Sequence, residues 1–298
     1  MVIPSRSQMS PKIDYVVPMV FPDDRLWQQD LNRALGYREN HTNEVRYRSW
    51  GTEELLVRCI RKNLPWVRDI VILLARPSQL QPWMNSLPGI RIVFHSQFMP
   101  KEVLPTYNSR AIEMYLHRID GLSERFLYGN DDMFPLAPMQ EDDFFYYGLP
   151  CLHWTMKSYN PSKAFHMACL NGLNFVAAEF GKHYESEWIH IGHNVVPMIK
   201  STCEMFWERW PKKMQESVTT FRLPRNYNQY IYSWWQILSD QYVDYKPPRG
   251  YISTGKDINE IREAIQNASG LLCINDNNEV NDIEQIAATI RNEIRKRL

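Results

Sequence analysis

The residues best suited to chemistry lie in the run Gly129-Asn130-Asp131-Asp132, directly after the compact strand candidate Arg125-Phe126-Leu127-Tyr128. In α/β folds ligands gather beyond the carboxyl ends of strands, so an acidic pair there occupies a binding position. Two adjacent carboxylates out of water are costly unless a cation or several donors compensate them. A divalent metal holding a phosphate answers that cost, and hard oxygen ligands suit magnesium or manganese. Asn-Asp-Asp is also good turn chemistry, in which both carboxylates are simply solvated. The same pattern recurs at Gly270-Leu271-Leu272-Cys273-Ile274-Asn275-Asp276, a second apolar run that ends in an acidic turn. Arg46 and Arg48 alternate around Tyr47, so an extended segment would project both from one side. Paired guanidiniums suit phosphate, although a solvated loop explains the spacing equally well. Glu113, on the preceding helix, reads by itself as an exposed helical residue, and His193 as an ordinary core or surface histidine.

The elements that must position these groups emerge from periodicity. Residues 13–20, 69–74, 90–94 and 125–128 are compact apolar strand candidates, and Asp23-Asp24 closes the first. Continuous apolar runs of this kind fit a sheet covered on both faces. Between them, helical spacing appears at Trp27, Leu31 and Leu35, and again at Leu55, Leu56, Cys59 and Ile60 behind a Thr52 cap. Residues 37–48 are expected as loop, and a short helix around Pro82–Leu87. After Asn108-Ser109, which supplies cap chemistry, Ile112, Tyr115, Leu116 and Ile119 make one apolar face, and Gly121 ends the helix. Alternating strands and helices define an α/β fold with a mixed, mostly parallel sheet covered by helices. The second half reads as helical and aromatic-rich, through Phe206, Trp207, Trp210, Tyr227, Tyr230, Tyr232, Trp234 and Trp235. Aromatics at helical spacing are more often core than a sugar-binding lining. A final helix over 280–298 carries Ile283, Ile286, Ile290 and Ile294 on one face, with Arg291, Arg295, Lys296 and Arg297 beside it. It reads as a docked helix with a cationic end, with contact to anionic lipid as the other option.

With 44% hydrophobic and 13% aromatic residues among 298, the chain can bury a sizeable core. Its formal net charge of +0 argues against nucleic acid as the general partner. Cys59, Cys151, Cys169, Cys203 and Cys273 are scattered, which fits reduced core residues better than a disulfide frame or zinc site. No apolar run approaches the ~18 residues a membrane span needs, and residues 1–12 lack a signal-peptide core. The expectation is a soluble, cytoplasmic protein, with peripheral membrane contact open.

Four blocks of the chain resemble the Stealth family of sugar-phosphate transferases. The most specific comprises RYRSWGTEELLVRCIRKNLPWVRDIVIL, QPWM and LPTYNSRAIEMYLHRIDGLSERFLYGNDDMF. Looser blocks hold His193 and Pro197, then Phe221-Arg222 with Asn228-Gln229, then Cys273-Ile274-Asn275-Asp276. The resemblance implies that Glu113, Asp132, His193 and Arg222 carry the chemistry. It also implies transfer of a hexose- or N-acetylhexosamine-1-phosphate from a UDP-linked nucleotide-sugar to a glycan hydroxyl, releasing UMP. Donor binding would fall to Asp24, Arg46, Arg48, Arg58, Asn108, Ser109, Asn130 and Asn275. A magnesium or manganese ion would sit on Asp131, Asp132 and Asp276. One departure stands out. Where the family carries a WVDGSDP-like run after the first strand, this chain has Met19-Val20-Phe21-Pro22-Asp23-Asp24, and only Asp24 and Trp27 keep their places. The corresponding division is a flexible leader over 1–12, a nucleotide-sugar and metal-binding portion over 13–150, and a mostly helical portion over 151–298 that completes the site. A strand at 270–276 would return to the sheet. The partners are a nucleotide-sugar and a glycan, with possible contact to membrane-bound polysaccharide machinery at the inner face. A metal-dependent glycosyltransferase releasing UDP and a non-catalytic sugar-nucleotide binder are the alternatives.

Overall fold

The computed structural model describes residues 12–36, 44–277, 280 and 282–298. The expected leader over 1–12 therefore lies almost wholly outside the described residues. Five strands form the central sheet, in the order Val196–Ile199, Arg125–Tyr128, Ile13–Pro18, Val67–Leu74, Ile90–Phe94. Three of its four pairings are parallel, and only Val196–Ile199 runs antiparallel. The mixed, mostly parallel α/β sheet read from the sequence is the one observed.

Its strands are mostly apolar because both faces are covered, with the charged residues Asp14, Arg68, Asp69, Arg91 and Arg125 confined to their first few positions. Tyr15, Val17, Ile70, Ile72 and Leu127 point to one side, against Leu55, Leu56, Cys59 and Ile60 of the helix Glu53–Asn63. Ile286, Ile290 and Ile294 of the helix Ile283–Arg297 close that core. Val16, Val71, Leu73, Phe126 and Tyr128 point to the other side, toward Ile112, Tyr115 and Ile119 and the helices Ala164–Ala177, Lys200–Arg209 and Tyr230–Leu238. The second-half aromatics are this second core: Phe206, Tyr232 and Trp234 are fully buried, and Phe206 packs edge-on against Tyr232 and Trp235. The five cysteines are free and buried. No helix among the described residues is long and apolar enough to cross a membrane.

Several elements differ from expectation. The strand Leu271–Asn275 does not rejoin the central sheet. It pairs in parallel with Arg249–Ser253 and antiparallel with Met133–Pro135, in a separate three-stranded sheet. The second half is helical, as expected, and also contributes strands: Thr155–Ser158 pairs with Glu187–His190, and Val196–Ile199 supplies the edge of the central sheet. The helix after Asn108 stops at Met114 and resumes as a 3-10 turn over Leu116–Arg118. The Met114 carbonyl accepts from the Trp207 indole at 2.7 Å, a tertiary bond that takes the place of the helical one. Pro82–Asn85 is likewise a 3-10 turn. Glu44–Arg46 is a single 3-10 turn, so Arg46 and Arg48 do not project from an extended segment. In the last helix Ile283 is exposed. That helix is docked by its cations: Arg291 donates to the Trp50 carbonyl, and Arg297 to those of Leu136, Gln266 and Ala268.

Candidate active site

The parallel strands all end on one side, and a cleft of about 360 Å³ opens there. Its floor is made by residues just beyond the strand ends: Met19 and Val20, Ala75, His95, and Asn130-Asp131-Asp132. The second sheet brings in the other acidic turn. Because Cys273 pairs with Met133, and the Asp132 carbonyl accepts from the Ile274 N–H at 2.8 Å, Asn275 and Asp276 arrive beside Asp131 and Asp132. Gly129 is required at the entry to this turn, since a Cβ there would collide with the buried Tyr15 hydroxyl.

Among the described residues, four carboxylates line this cleft: Glu53, Asp131, Asp132 and Asp276. Burial, then repulsion from Asp132 and Glu53, pushes the Asp131 carboxyl up to about 8. One oxygen of Asp132 (Oδ1) and one of Asp276 (Oδ2) are buried without a hydrogen-bond partner. The unpartnered oxygens of Asp132 and Asp276 are what a hard divalent cation would satisfy, but the four carboxylates do not form a group with metal-ligating spacing by themselves. The remaining oxygen of Asp276 is already held, by Arg48 at 3.1 Å, the Thr254 hydroxyl at 3.1 Å and the Asn277 N–H at 2.7 Å.

The same cleft is lined by Arg46, Arg48 and Arg222, with Arg48 paired to Asp276, a set of guanidiniums suited to a diphosphate beside the acids. Burial and the nearby Arg222 both lower the Arg46 guanidinium, the mark of positive charges held together before an anion. Arg222 donates to the Ser109 hydroxyl at 2.6 Å. Asn108 ties that wall together: its Oδ1 caps the helix Ser109–Met114 through the Arg110 N–H, and its amide reaches the Thr219 carbonyl and Asn226.

His193 places Nε2 3.4 Å from Asp132 Oδ2, and the Cys273 thiol donates to that same oxygen at 3.5 Å. Burial alone would lower the imidazole, but the charge of Asp132 and the bond to it override this and raise it above its ordinary value. Asp132, His193 and Cys273 thus form a group with metal-ligating spacing.

The structure gathers Arg46, Arg48, Asn108, Ser109, Asn130, Asp131, Asp132, His193, Arg222, Asn275 and Asp276 at one cleft, and leaves three expected residues outside its lining. Asp24 caps the helix Arg25–Leu35 through the Leu26 N–H at 3.1 Å and accepts from Ser78 at 2.6 Å. Arg58 is exposed and paired to Glu54 one helical turn away. Glu113 is buried behind the wall, accepting from the Gln229 N–H at 2.9 Å and the Tyr128 hydroxyl at 3.3 Å. Burial raises its carboxyl, against the Gln229 bond and the charges of Arg222 and Arg110. Sequence reasoning missed Glu53 and the aromatic wall of Trp27, Tyr47 and Tyr107, which line the cleft, and Cys273, which lies behind Asp132. The available signal for Glu53 was its position just after the Thr52 cap, where a carboxylate meets a helix N-terminus. Of the departing first loop, Met19 and Val20 line the cleft, while the Phe21 and Pro22 carbonyls accept from Gln79 and Gln28.

A doubly covered α/β sheet with an acid-and-arginine cleft at its strand ends has the arrangement in which α/β enzymes bind their ligands. Residues 46–149 match the family described as Stealth protein CR2, conserved region 2. It is similar to the receptor polysaccharide phosphotransferase WefC of Streptococcus gordonii, 28% identical over 317 residues covering 93% of this chain and 94% of that one. It is also similar to the capsular polysaccharide phosphotransferase LcbA of Neisseria meningitidis, 30% identical over 231 residues covering 72% and 61%. Among solved structures, the galactosyltransferase LgtC in complex with donor and acceptor sugar analogs aligns over 96% of this chain and 100% of its own. That alignment has a TM-score of 0.43 and 9% identity, too distant to inform the chemistry here.

Proposed function

We propose that the chain transfers a sugar-1-phosphate, hexose or N-acetylhexosamine, from a UDP-linked donor to a hydroxyl of an acceptor glycan, releasing UMP. The observation that carries this reading is the Asp132–His193 pair, 3.4 Å apart, in the same cleft as three further carboxylates and three arginines. The acceptor oxygen attacks the β-phosphorus, a new P–O bond forms, and the bond from that phosphorus to the bridging oxygen breaks. The bridging oxygen departs with UMP. Such a reaction asks the protein mainly for alignment and charge neutralisation.

Asp131, Asp132 and Asp276, with Glu53, would hold a divalent cation, which when bound neutralises diphosphate oxygens. Arg222, steadied by Ser109, braces the migrating phosphate, while Arg46 and Arg48 face the remaining donor phosphate. His193 takes the acceptor proton. With Nε2 donating to Asp132, the other ring nitrogen is the basic one, and the carboxylate stabilises the imidazolium that results. Glu113 acts from behind, fixing Gln229 and hence the segment that presents Arg222. Relatives named as capsular and receptor polysaccharide phosphotransferases support this assignment.

The deciding experiment separates the nucleotides released from UDP- and GDP-sugars by purified protein with magnesium or manganese and a glycan acceptor. Metal- and acceptor-dependent UMP supports the reading. UDP release would mean attack at the sugar carbon and would make the chain a glycosyltransferase. Donor binding without turnover, indifferent to Asp132→Asn, would make it a non-catalytic binder.

A further inference from the structure

The cleft offers two different donor sets that share one residue. The first is all oxygen: Glu53, Asp131, Asp132 and Asp276, which line the cleft without forming a group at metal-ligating spacing, so that a cation there would complete its shell with donor oxygens. The second is mixed: Asp132 oxygen, His193 nitrogen and Cys273 sulfur, all within 4.8 Å of one another. Magnesium and manganese prefer the first, whereas a thiol beside an imidazole selects a softer ion. Two of the second set's three edges match a particular geometry, and the third lies within 4.8 Å. Zinc bond lengths at a tetrahedral angle imply an N···O edge of about 3.4 Å and an S···O edge of about 3.6 Å. The observed edges are 3.4 Å from His193 Nε2 to Asp132 Oδ2, and 3.5 Å from Cys273 Sγ to that oxygen.

The ligands are held before any ion arrives. Cys273 lies in a strand paired on both sides, and Asp132 is locked to that strand by the bond to Ile274. Next to His193, the Gly192 carbonyl accepts from the Tyr230 hydroxyl at 3.0 Å. Asp132 and His193 face the cleft, the side from which a water or phosphate oxygen would complete a fourth position, while Cys273 is fully buried. No other group with metal-ligating spacing occurs among the described residues.

We propose that Asp132, His193 and Cys273 form a zinc site whose occupancy shuts the enzyme, by taking the carboxylate and imidazole that transfer requires. Binding forms a Zn–S bond, the thiol proton passes to solvent, and no electron changes hands. Because Asp132 belongs to both sets, zinc and the working cation compete. The inhibitory half rests on the function proposed above, and the binding half does not.

The test uses the full chain freed of metal by chelator and titrated with Co²⁺ as a spectroscopic probe, then with Zn²⁺ under excess magnesium. One equivalent of Co²⁺ should give a thiolate-to-cobalt charge-transfer band that Zn²⁺ abolishes. Cys273→Ser should remove the band and weaken zinc at least about 100-fold, whereas Asp131→Asn should keep the band. Should Cys273→Ser lose its native circular dichroism, His193→Asn provides the second ligand deletion, with the same expected loss. Absence of a thiolate band in folded wild-type protein, or unchanged zinc affinity in the folded ligand variants, overturns the site. Zinc bound with the thiolate band but without effect on nucleotide release overturns only the inhibition. Absence of any nucleotide release, with the band present, refutes the proposed function and leaves the site standing.

Discussion

Glu113→Gln separates a positioning role from a catalytic one. The carboxylate accepts from the Gln229 N–H at 2.9 Å and from the Tyr128 hydroxyl at 3.3 Å. The Gln229 side-chain amide, turned so that its nitrogen faces the acid, adds a donor at 2.6 Å. All these neighbours are donors, and a carboxylate is acceptor-only. An amide in its place must aim two N–H groups at some of them, and the backbone N–H of Gln229 cannot turn away. Losing one charged hydrogen bond in a buried site costs roughly 2 kcal/mol. A chain of 298 residues has an unfolding entropy of roughly 0.6 kcal/mol/K, so the melting temperature should fall by about 3 °C. Turnover should fall with it, because Gln229 fixes the segment presenting Arg222, but the shape of the pH–rate profile should persist. The assay pairs thermal melts with the nucleotide-release profile of the same preparation. A variant that melts with the wild type while losing one limb of the pH profile would make Glu113 the base and refute the positioning role.

Arg58→Ala should leave turnover intact and stability within about 0.5 kcal/mol, since an exposed one-turn ion pair contributes little; a donor KM raised tenfold would return Arg58 to the site. Arg48→Ala removes the cation from Asp276, whose second oxygen is already unpartnered, and should raise donor KM about tenfold or more. A titration of donor concentration in initial-rate assays decides it. Stability should decline on the acid side. Burial lowers His95, His117 and His190 to about 4 from 6.5. Between those values the unfolded chain binds more protons at these three histidines than the folded one, so their contribution to stability is full above about 6.5 and drains as pH falls toward 4, outweighing the opposite-signed contribution of Asp131, which is raised to about 8. Denaturant midpoints across that window should fall steadily, and His117→Gln should flatten the slope; an unaltered slope would assign the decline to other groups.

What the sequence disclosed depends on how local the cause is. The central strands were legible because two buried faces demand an unbroken apolar run, as at Ile70-Val71-Ile72-Leu73-Leu74. Asp131 and Asp132 were legible as a site because a strand end and an acidic pair are adjacent in the chain. The break at Tyr115 was not, since it arises from the Trp207 indole claiming the Met114 carbonyl across the second core. The small sheet was hidden for the same reason: Met133–Pro135 is only three residues long and finds its partner far along the chain. His193 carries no local mark, and only the family resemblance singled it out, because its character is set by Asp132. Asp24 and Arg58 show the converse. Residue type suggested binding, while a free helix N-terminus and a one-turn ion pair already account for them.

The position of Asp132 comes from a change of sheet. Arg125–Tyr128 belongs to the five-stranded sheet and Met133–Pro135 to the three-stranded one, so Gly129–Asp132 is the crossing between them. The crossing is pinned from both sides, by the Val16 carbonyl accepting from the Gly129 N–H at 3.1 Å and by the Ile274 N–H donating to Asp132. Gly129→Ala would thrust a methyl against the Tyr15 hydroxyl and ring, neither of which has room to retreat, because Tyr15 is fully buried. Overpacking of this kind costs about 1–3 kcal/mol. If the strain is relieved by moving the crossing, turnover must suffer beyond what stability predicts, because Asp131 and Asp132 move with it. Adding Tyr15→Phe removes the buried unpartnered hydroxyl and the nearest contact together, and should recover part of both losses. Melts and nucleotide release on the two variants check this: recovery of stability without recovery of turnover would mean that the turn, once displaced, does not position the acids, whereas no recovery of either would show that the Tyr15 contact is not what constrains it.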